Sequence, residues 1–197
     1  MVRTNSNFVA LGSLLKEFNL VNVNSANKEN YNYASLDDRH LLIMFICAHC
    51  PYVKFLEDSI SKLSKSINDS VQIVAISSND ITTYPEDSPD QLAKQAKLNG
   101  WDFPYLYDQD QTFAKQLKAA CTPDFYLFNY VKNQFRLFYH GQLDGSRPSN
   151  QIPKTCEDIL YAVDSIKENR KNTFDQIPSL GCNIKWKLGN EPPWFKS

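Results

Sequence analysis

Continuous apolar runs alternate with amphipathic helix patterns in the first half of this sequence, and this alternation constrains the fold most. Leu41–Ile46 (LLIMFI) and Val71–Ile76 (VQIVAI) are typical of strands covered on both faces. Between them, apolar residues recur at steps of three and four, as on one face of a helix. Those residues are Val53, Leu56, Ile60, Leu63 and Ile67. Residues 88–91 (SPDQ) then predict the start of a second helix, which Gly100 can end.

The second half begins with a short aromatic segment, Phe103–Tyr107, and a helix pattern across Gln111–Ala119. Phe125–Asn129 (FYLFN) and Gln134–Tyr139 (QFRLFY) then predict two strands. Because a short turn at residues 132–133 (KN) separates them, we expect an antiparallel hairpin.

A last helix is predicted to begin at the capping pattern of Thr155 and Asp158. Its inner side carries Ile159, Leu160, Val163 and Ile166. The order β-α-β-α-β-α-β-β-α predicts an α/β sandwich, with parallel crossovers before the hairpin. We expect one domain over residues 1–171. Residues 172–197 have no clear period and predict an irregular C-terminal extension packed on that domain.

Composition excludes several classes of function. With a formal net charge of −1, the 197-residue chain has no strong field to attract nucleic acid or an acidic membrane. Its longest apolar run, Leu41–Cys47, is too short to cross a bilayer, and the first twenty residues are too polar for a secretory signal. We therefore expect a cytoplasmic protein. There, the five cysteines favour catalysis, metal binding or burial over a disulfide framework.

The most informative stretch is FICAHCPYVK at 45–54, where a buried strand ends and a helix begins. Pro51 suits the first helical position, which puts Cys50 at the N-cap. Its sulfur then faces the amides of Tyr52 and Val53 at the positive end of the helix dipole. Helix N-termini lower cysteine pKa values to roughly 3.5–7.5, so Cys50 is predicted to be a reactive thiolate. The adjacent His49 either tunes this thiolate or faces solvent.

Five segments resemble the thioredoxin superfamily, and more closely its thioredoxin- and peroxiredoxin-like (AhpC/TSA-type) redoxins. They are FICAHCPYVK (45–54), SSNDITTYPEDSP (77–89), ACTPDFYLF (120–128), GQLDGSRPSN (141–150) and SLGCNIKWKLGNEPP (179–193). The resemblance implies a thioredoxin-like fold, with a central mixed sheet and helices on both faces. It also implies that Thr122 and Pro123 form a cis-proline turn facing the nucleophile; an ordinary trans turn is the alternative.

The sequence departs from both family patterns at the nucleophile. In thioredoxin the second cysteine lies three residues after the first, a place that Val53 fills here, whereas Cys47 lies upstream. The peroxiredoxin pattern Pro-x-x-x-Thr/Ser-x-x-Cys meets Ile43 and Cys47 instead of proline and a hydroxyl residue. We therefore expect a thiol–disulfide oxidoreductase with Cys50 as its nucleophile. A thiol peroxidase that reduces hydrogen peroxide or alkyl hydroperoxides is the alternative.

A second cysteine must resolve the product of the first attack. Cys47 is the first candidate because it is nearest in sequence. Cys121 is the alternative, because it precedes the cis-proline turn. Cys182 lies on the tail, and Cys156, at the start of the last helix, is expected to be structural. The expected partners are a protein or small-molecule disulfide, or a peroxide, and a cellular thiol reductant such as thioredoxin or glutathione.

Two other classes compete with a redox enzyme. A metal site could use Cys47, His49 and Cys50, with Cys121 or Cys182, but the spacing is too tight for a paired-knuckle zinc site, so we expect neither metal nor cofactor. A redox-inactive docking module is the other class, and an unreactive Cys50 would favour it. Arg147 could hold a substrate anion or, as is common for a surface arginine, tie down its own loop.

Overall fold

The computed structural model of the chain describes residues 3–195, which form ten strands and four α-helices. The strands are β1 (Arg3–Asn5), β2 (Asn19–Asn22), β3 (Asn30–Asn32), β4 (His40–Phe45), β5 (Val71–Ser77), β6 (Tyr105–Tyr107), β7 (Cys121–Thr122), β8 (Asp124–Val131), β9 (Gln134–Gly141) and β10 (Leu180–Asn183). The helices are α1 (Pro51–Ile67), α2 (Pro89–Asn99), α3 (Thr112–Gln116) and α4 (Glu157–Lys167).

Seven strands form the central sheet in the order β3-β2-β6-β5-β4-β8-β9. The neighbours β4, β5 and β6 are parallel, and the outer pairs are antiparallel. β8 and β9 form the predicted hairpin, and its turn residues Lys132 and Asn133 have φ values of 51° and 59°. Positive φ at both turn positions matches the twist of the flanking strands.

Apolar side chains cover both faces of this sheet. On β4, Leu42 and Met44 pack in the cluster that holds the apolar residues of α1, α2 and α4. Leu41, Ile43 and Phe45 point to the opposite cluster, which holds α3 and part of the N-terminal segment. The predicted α/β architecture, with a central mixed sheet between helices, is therefore confirmed.

The element order also agrees with the pattern in the sequence. From β4 to α4 the structure alternates strands and helices as predicted, and α2 begins at Pro89 and ends before Gly100, whose φ is 62°. The short strands β1, β2, β3 and β7 were not predicted. Each has four residues or fewer, too short for a clear alternation of apolar and polar positions.

The C-terminal segment contributes a strand where an irregular tail was expected. β10 is the middle strand of a second sheet with the order β1-β10-β7, and both pairings are antiparallel. In its register, Cys182 lies opposite Thr122 and Asn183 lies opposite Cys121. The tail is thus hydrogen-bonded to the short strand that precedes Pro123.

The start of α4 differs from the predicted cap. Its N-cap is Cys156, in a left-handed conformation with a φ of 57°, so Thr155 does not cap the helix. Asp144, from a distant loop, holds the residues that lead into α4, because its Oδ2 accepts the amides of Thr155 at 2.9 Å and Cys156 at 2.7 Å. A carboxylate is favourably placed beside the positive end of a helix.

Among residues 3–195, the structure contains no helix with the length and apolar character needed to span a membrane.

Candidate active site

Cys50 lies where the chain passes from β4 into α1. Pro51 is the first residue of α1, and Cys50 is its N-cap with extended backbone angles, as the sequence predicts. The Cys50 side chain is completely buried. β4 and α1 both contribute side chains to the core, so the position of this sulfur is set by two anchored elements.

The Cys50 thiol donates a hydrogen bond of 3.2 Å to the Thr122 carbonyl oxygen. Hydrogen bonding from the Cys182 and Cys47 side chains lowers the pKa of Cys50 most, and the Thr122 side chain and the Val53 amide lower it less. Together they outweigh the opposing effect of burial and lower the pKa of Cys50 to about 2. A thiolate that accepts several hydrogen bonds stays ionised even when water is excluded.

The source of this stabilisation differs from the sequence-based expectation. The helix amides of Tyr52 and Val53 were predicted to hold the sulfur, but the Cys50 side chain makes no regular N-cap hydrogen bond. The Val53 amide also lowers the pKa of Cys50, but it does so less than the two thiols. The thiolate therefore depends mainly on neighbouring cysteines, and only secondarily on the start of the helix.

Cys47 is the protonated member of the local pair. Its sulfur is fully buried, 3.5 Å from Thr122 Oγ1 and 4.0 Å from His49 Nδ1. Burial, followed by the hydrogen bond to Cys50, raises the pKa of Cys47 well above its ordinary value. The pKa values of the two thiols of the C-x-x-C segment are therefore shifted in opposite directions.

Thr122 and Pro123 face Cys50, and the peptide bond between them is cis, as the resemblance implies. The Thr122 carbonyl oxygen lies 3.2 Å from Cys50 Sγ. The neighbouring Cys121 points elsewhere. Its sulfur contacts the carbonyl oxygens of Pro123 at 3.8 Å and Ser179 at 4.0 Å, and burial raises its pKa well above the ordinary value. The structure does not bring Cys121 into contact with Cys50.

Cys182 is brought to the site from the C-terminal strand. It lies opposite Thr122 in the β10–β7 pair and is 3% exposed. Its thiol donates to Cys50, and this hydrogen bond, together with burial, raises the pKa of Cys182. Three cysteines from two segments thus meet beside Thr122, and Cys50 is the one whose pKa is lowered.

An acidic residue that the sequence reasoning missed holds the loop before Cys50. Asp87 is completely buried, and its Oδ1 accepts the amides of Ala48 at 2.8 Å and His49 at 3.0 Å. Its Oδ2 lies 2.5 Å from His49 Nδ1 and accepts the Asn79 amide at 2.6 Å. Burial raises the pKa of Asp87, but the hydrogen bonds from His49 and Asn79 outweigh it and lower the pKa overall. The only available signal was that Asn79 and Asp87 lie in the family-like segment 77–89.

His49 is therefore a part of the loop rather than a solvent-facing residue. Its ring stacks on Tyr84, with the ring centroids 5.4 Å apart, and its Nδ1 must donate to the ionised Asp87 carboxylate. Candidate ligand atoms of Cys47, His49 and Asp87 lie within 4.8 Å of one another. A metal ion there would have to compete with four hydrogen bonds that both Asp87 oxygens already accept.

Arg147 and Cys156 lie outside this contact cluster. The Arg147 guanidinium donates to the carbonyl oxygens of Asp144 and Ser146 and to the side chain of Gln142, so it ties down its own loop. The same side chain lines a small groove beside the site. Other residues along this groove are Tyr52, Phe55, Pro123, Phe125 and Leu180. Cys156 donates to the Ser59 carbonyl oxygen, and burial raises its pKa to about 11.

Comparison with known protein families agrees with this geometry. The model of the AhpC/TSA family matches residues 11–134. The chain belongs to the AhpC/TSA family. It is a redoxin of the thioredoxin superfamily, as the motifs suggested. No curated protein matches the sequence significantly.

Two solved structures are similar to this AhpC/TSA protein over nearly its whole length. An uncharacterised conserved protein from Geobacillus kaustophilus is 43% identical, with a TM-score of 0.89, covering 95% of this chain and 97% of its own. A hypothetical protein from Sinorhizobium meliloti 1021 is 36% identical, with a TM-score of 0.88 and coverage of 94% and 100%. A secreted disulfide oxidoreductase of Mycobacterium tuberculosis shares the fold at 14% identity, with a TM-score of 0.54 and coverage of 75% and 95%.

Proposed function

We propose that this redoxin is a thiol–disulfide oxidoreductase in which Cys50 is the nucleophile and Cys47 resolves the intermediate. The proposal rests on the pKa values of these two neighbouring thiols, which are shifted in opposite directions. Cys50 has a strongly lowered pKa, whereas the pKa of Cys47 is raised. A dithiol needs this asymmetry, because one sulfur must attack as a thiolate while the other keeps its proton until the second step.

The reaction follows from these states. The Cys50 thiolate attacks one sulfur of a substrate disulfide, forms a mixed disulfide, and expels the other sulfur as a thiolate that takes up a proton. Cys47 then loses its proton and attacks Cys50 Sγ, which releases the second substrate thiol. The two electrons come from the cysteine pair, which becomes a disulfide. A cellular thiol reductant such as thioredoxin or glutathione returns it to the reduced state.

The surroundings of Cys50 support a disulfide on a peptide or a small thiol as substrate. The small groove beside the site is lined by aromatic and apolar side chains, by Pro123, and by the polar residues Gln142, Ser146, Arg147 and Ser179. The Arg147 charge at its edge is already used by its own loop, so the groove offers no unengaged arginine for a strongly anionic substrate. The buried thiols suit a reducing compartment such as the cytoplasm.

The test is the reduction of insulin and of a glutathione mixed disulfide. Cys50→Ser is expected to abolish both activities, and Cys47→Ser to retain the first attack while slowing release of the second thiol. Cys156→Ser serves as the matched control, because this buried cysteine contacts Ser59 and lies outside the cluster. Full activity of Cys50→Ser would contradict the proposal and leave the protein as a docking module.

Thiol peroxidase activity is the second candidate, and one contact favours it. Position 47 lacks the hydroxyl residue of the peroxiredoxin pattern, but the Thr122 hydroxyl lies 3.5 Å from Cys47 Sγ and helps to lower the pKa of Cys50. We expect this to be a weaker substitute, so the protein should reduce disulfides faster than hydrogen peroxide. Stopped-flow consumption of peroxide that outpaces disulfide reduction would reverse this order.

A further inference from the structure

We propose that Cys182 is a second redox partner of Cys50, which exchanges between a disulfide with Cys47 and a disulfide with Cys182. The inference rests on the proposed function, since it requires Cys50 to be the attacking thiol. It adds a third redox cysteine, supplied by the C-terminal strand, to the two of the C-x-x-C segment.

The first support is the tight seating of β10 on the cis-proline turn. A Cβ atom built on Gly181 would lie 2.0 Å from the Thr122 carbonyl oxygen and 3.1 Å from Pro123 Cδ. Only glycine permits such an approach of two backbones. The strand is also held from its other side, where Gly181 lies opposite Thr4 of β1. Cys182, the next residue, is thereby fixed at the edge of the active site.

The second support is the position of Thr122, which lies beside all three cysteines. Its carbonyl oxygen is 3.2 Å from Cys50 Sγ, its Oγ1 is 3.5 Å from Cys47 Sγ, and Cys182 lies opposite it in the β10–β7 pair. Hydrogen bonding from Cys182 is also the largest influence that lowers the pKa of Cys50. Thiols placed around one residue in this way need only a short movement to reach the S–S bond length of about 2.05 Å. Cys121 is oriented differently, since its sulfur faces Pro123 and Ser179.

The exchange is balanced without an added oxidant. In the mixed disulfide, Cys182 loses its proton and attacks Cys50 Sγ, and the substrate thiolate that leaves takes up a proton. Starting from the Cys47–Cys50 disulfide, the same attack expels the Cys47 thiolate, which is then protonated. The second reaction moves a disulfide from one pair to another and changes no oxidation state.

The two disulfides differ in their effect on stability. A Cys47–Cys50 bond closes a very small ring, whereas a Cys50–Cys182 bond connects the start of α1 with the C-terminal strand across most of the chain. Cross-links that close long loops remove more conformational entropy from the unfolded chain. Oxidation is therefore expected to raise the melting temperature when Cys182 is present, and to change it little in Cys182→Ser.

Peptide mapping distinguishes the two bonds. After oxidation of the full chain with one equivalent of diamide, quenching in acid and trypsin cleavage, Cys47 and Cys50 share the peptide 40–54, and Cys182 lies in 172–185. We expect both the internal disulfide of 40–54 and the cross-link between the two peptides. Cys121→Ser and Cys156→Ser should retain the cross-link. The absence of this cross-link from the oxidised wild-type protein would overturn the inference. The measurement uses the wild-type protein, so it does not depend on whether a variant folds.

Kinetic trapping separates this inference from the proposed function. With glutathione disulfide, Cys47→Ser should release glutathione from Cys50 at least roughly tenfold faster than Cys47→Ser/Cys182→Ser, in which no neighbouring thiol can attack. Equal rates of glutathione release in the two variants would contradict the role of Cys182 and leave the proposed function unaffected. Failure of the double variant to form any mixed disulfide at Cys50 instead contradicts the proposed function.

Discussion

Cys182 of the C-terminal strand lies opposite Thr122, whose carbonyl oxygen is 3.2 Å from the sulfur of Cys50 at the start of the first helix. Cys182 and Cys50 come close together because β10 pairs with β7 immediately before Pro123. The lowered pKa of Cys50 therefore depends on residues from three segments: its own loop, the cis-proline turn and the tail. The helix terminus alone would supply a smaller part of that shift.

Iodoacetamide at pH 6.5 is expected to modify Cys50 before the other four cysteines. All five are buried, so ionisation decides the order, and Cys50 is the one whose pKa is lowered. If exposure decided instead, Cys156, at 7% exposed, would react first. Mass spectrometry of the peptides 40–54 and 155–167 measures both rates, and faster labelling of Cys156 would refute the assignment of the nucleophile.

The same lowered pKa predicts an unusual pH profile. The rate constant for alkylation of Cys50 should stay nearly constant between about pH 5 and 8, because a thiol with a pKa of about 2 is ionised throughout. An ordinary thiol, with a pKa of about 8.5, loses roughly tenfold in rate per pH unit below that value. N-acetylcysteine under the same conditions is the control. A Cys50 profile that follows the control would show that the thiol cluster does not stabilise the anion.

A stabilised Cys50 thiolate also predicts an oxidising dithiol. Since a low thiol pKa favours the reduced form, the reduction potential should lie above about −230 mV, on the oxidising side of thioredoxin. Equilibration with glutathione buffers, followed by alkylation and mass analysis, measures it. Cys182→Ser removes the largest contributor to the lowered pKa and should shift the potential to a more negative value. An unchanged potential in Cys182→Ser would argue that the thiol–thiol contact is energetically unimportant.

Local sequence signals predicted the parts of the site that neighbouring residues determine. Pro51 after a buried strand was enough to place Cys50 at the N-cap. Serine, proline and glycine at known spacings marked the ends of α2. The family-like segment around Thr122 and Pro123 indicated the cis turn.

The remaining contacts depend on residues far apart in the sequence. β10 is only four residues long, and its partners β1 and β7 are shorter still. Strands this short show no repeating pattern of apolar and polar residues by which the sequence could have indicated them. Asp87 acts through a carboxylate that folding buries against a distant loop, and Asp144 holds the amides of Thr155 and Cys156 before α4 in the same way. Composition and spacing do not encode such pairings, because the same acidic residues are ordinarily solvent-exposed.

Gly181→Ala is expected both to destabilise the protein and to disturb the candidate active site at the cis-proline turn. The added methyl group would meet the Thr122 backbone, which cannot move without shifting the cis-proline turn, at a typical overpacking cost of about 1–3 kcal/mol. Gly145→Ala is the matched control, since its new Cβ would meet Ile152 at an ordinary 3.7 Å. Urea denaturation measures both. If the two variants are equally stable, β10 does not lie as close to the turn as described.

Asp87→Asn is expected to loosen the loop that carries Cys47 and His49. The carboxylate is completely buried, and removing one partner of a buried ion pair typically costs about 3–5 kcal/mol. Because its pKa is lowered in the folded protein, Asp87 contributes stability that is complete above the unfolded value of about 3.9. That contribution is lost as the pH falls through the folded value.

The difference in unfolding free energy between wild type and Asp87→Asn should therefore be constant near neutral pH and shrink below about pH 4. Asp90→Asn is the control, because Asp90 forms an exposed pair with Lys28 and should change stability little at any pH. Denaturation curves between pH 3 and 7 provide the measurement. A constant difference down to pH 3 would mean that Asp87 is not held as an ionised carboxylate by His49 and Asn79, and the loop would then need another anchor.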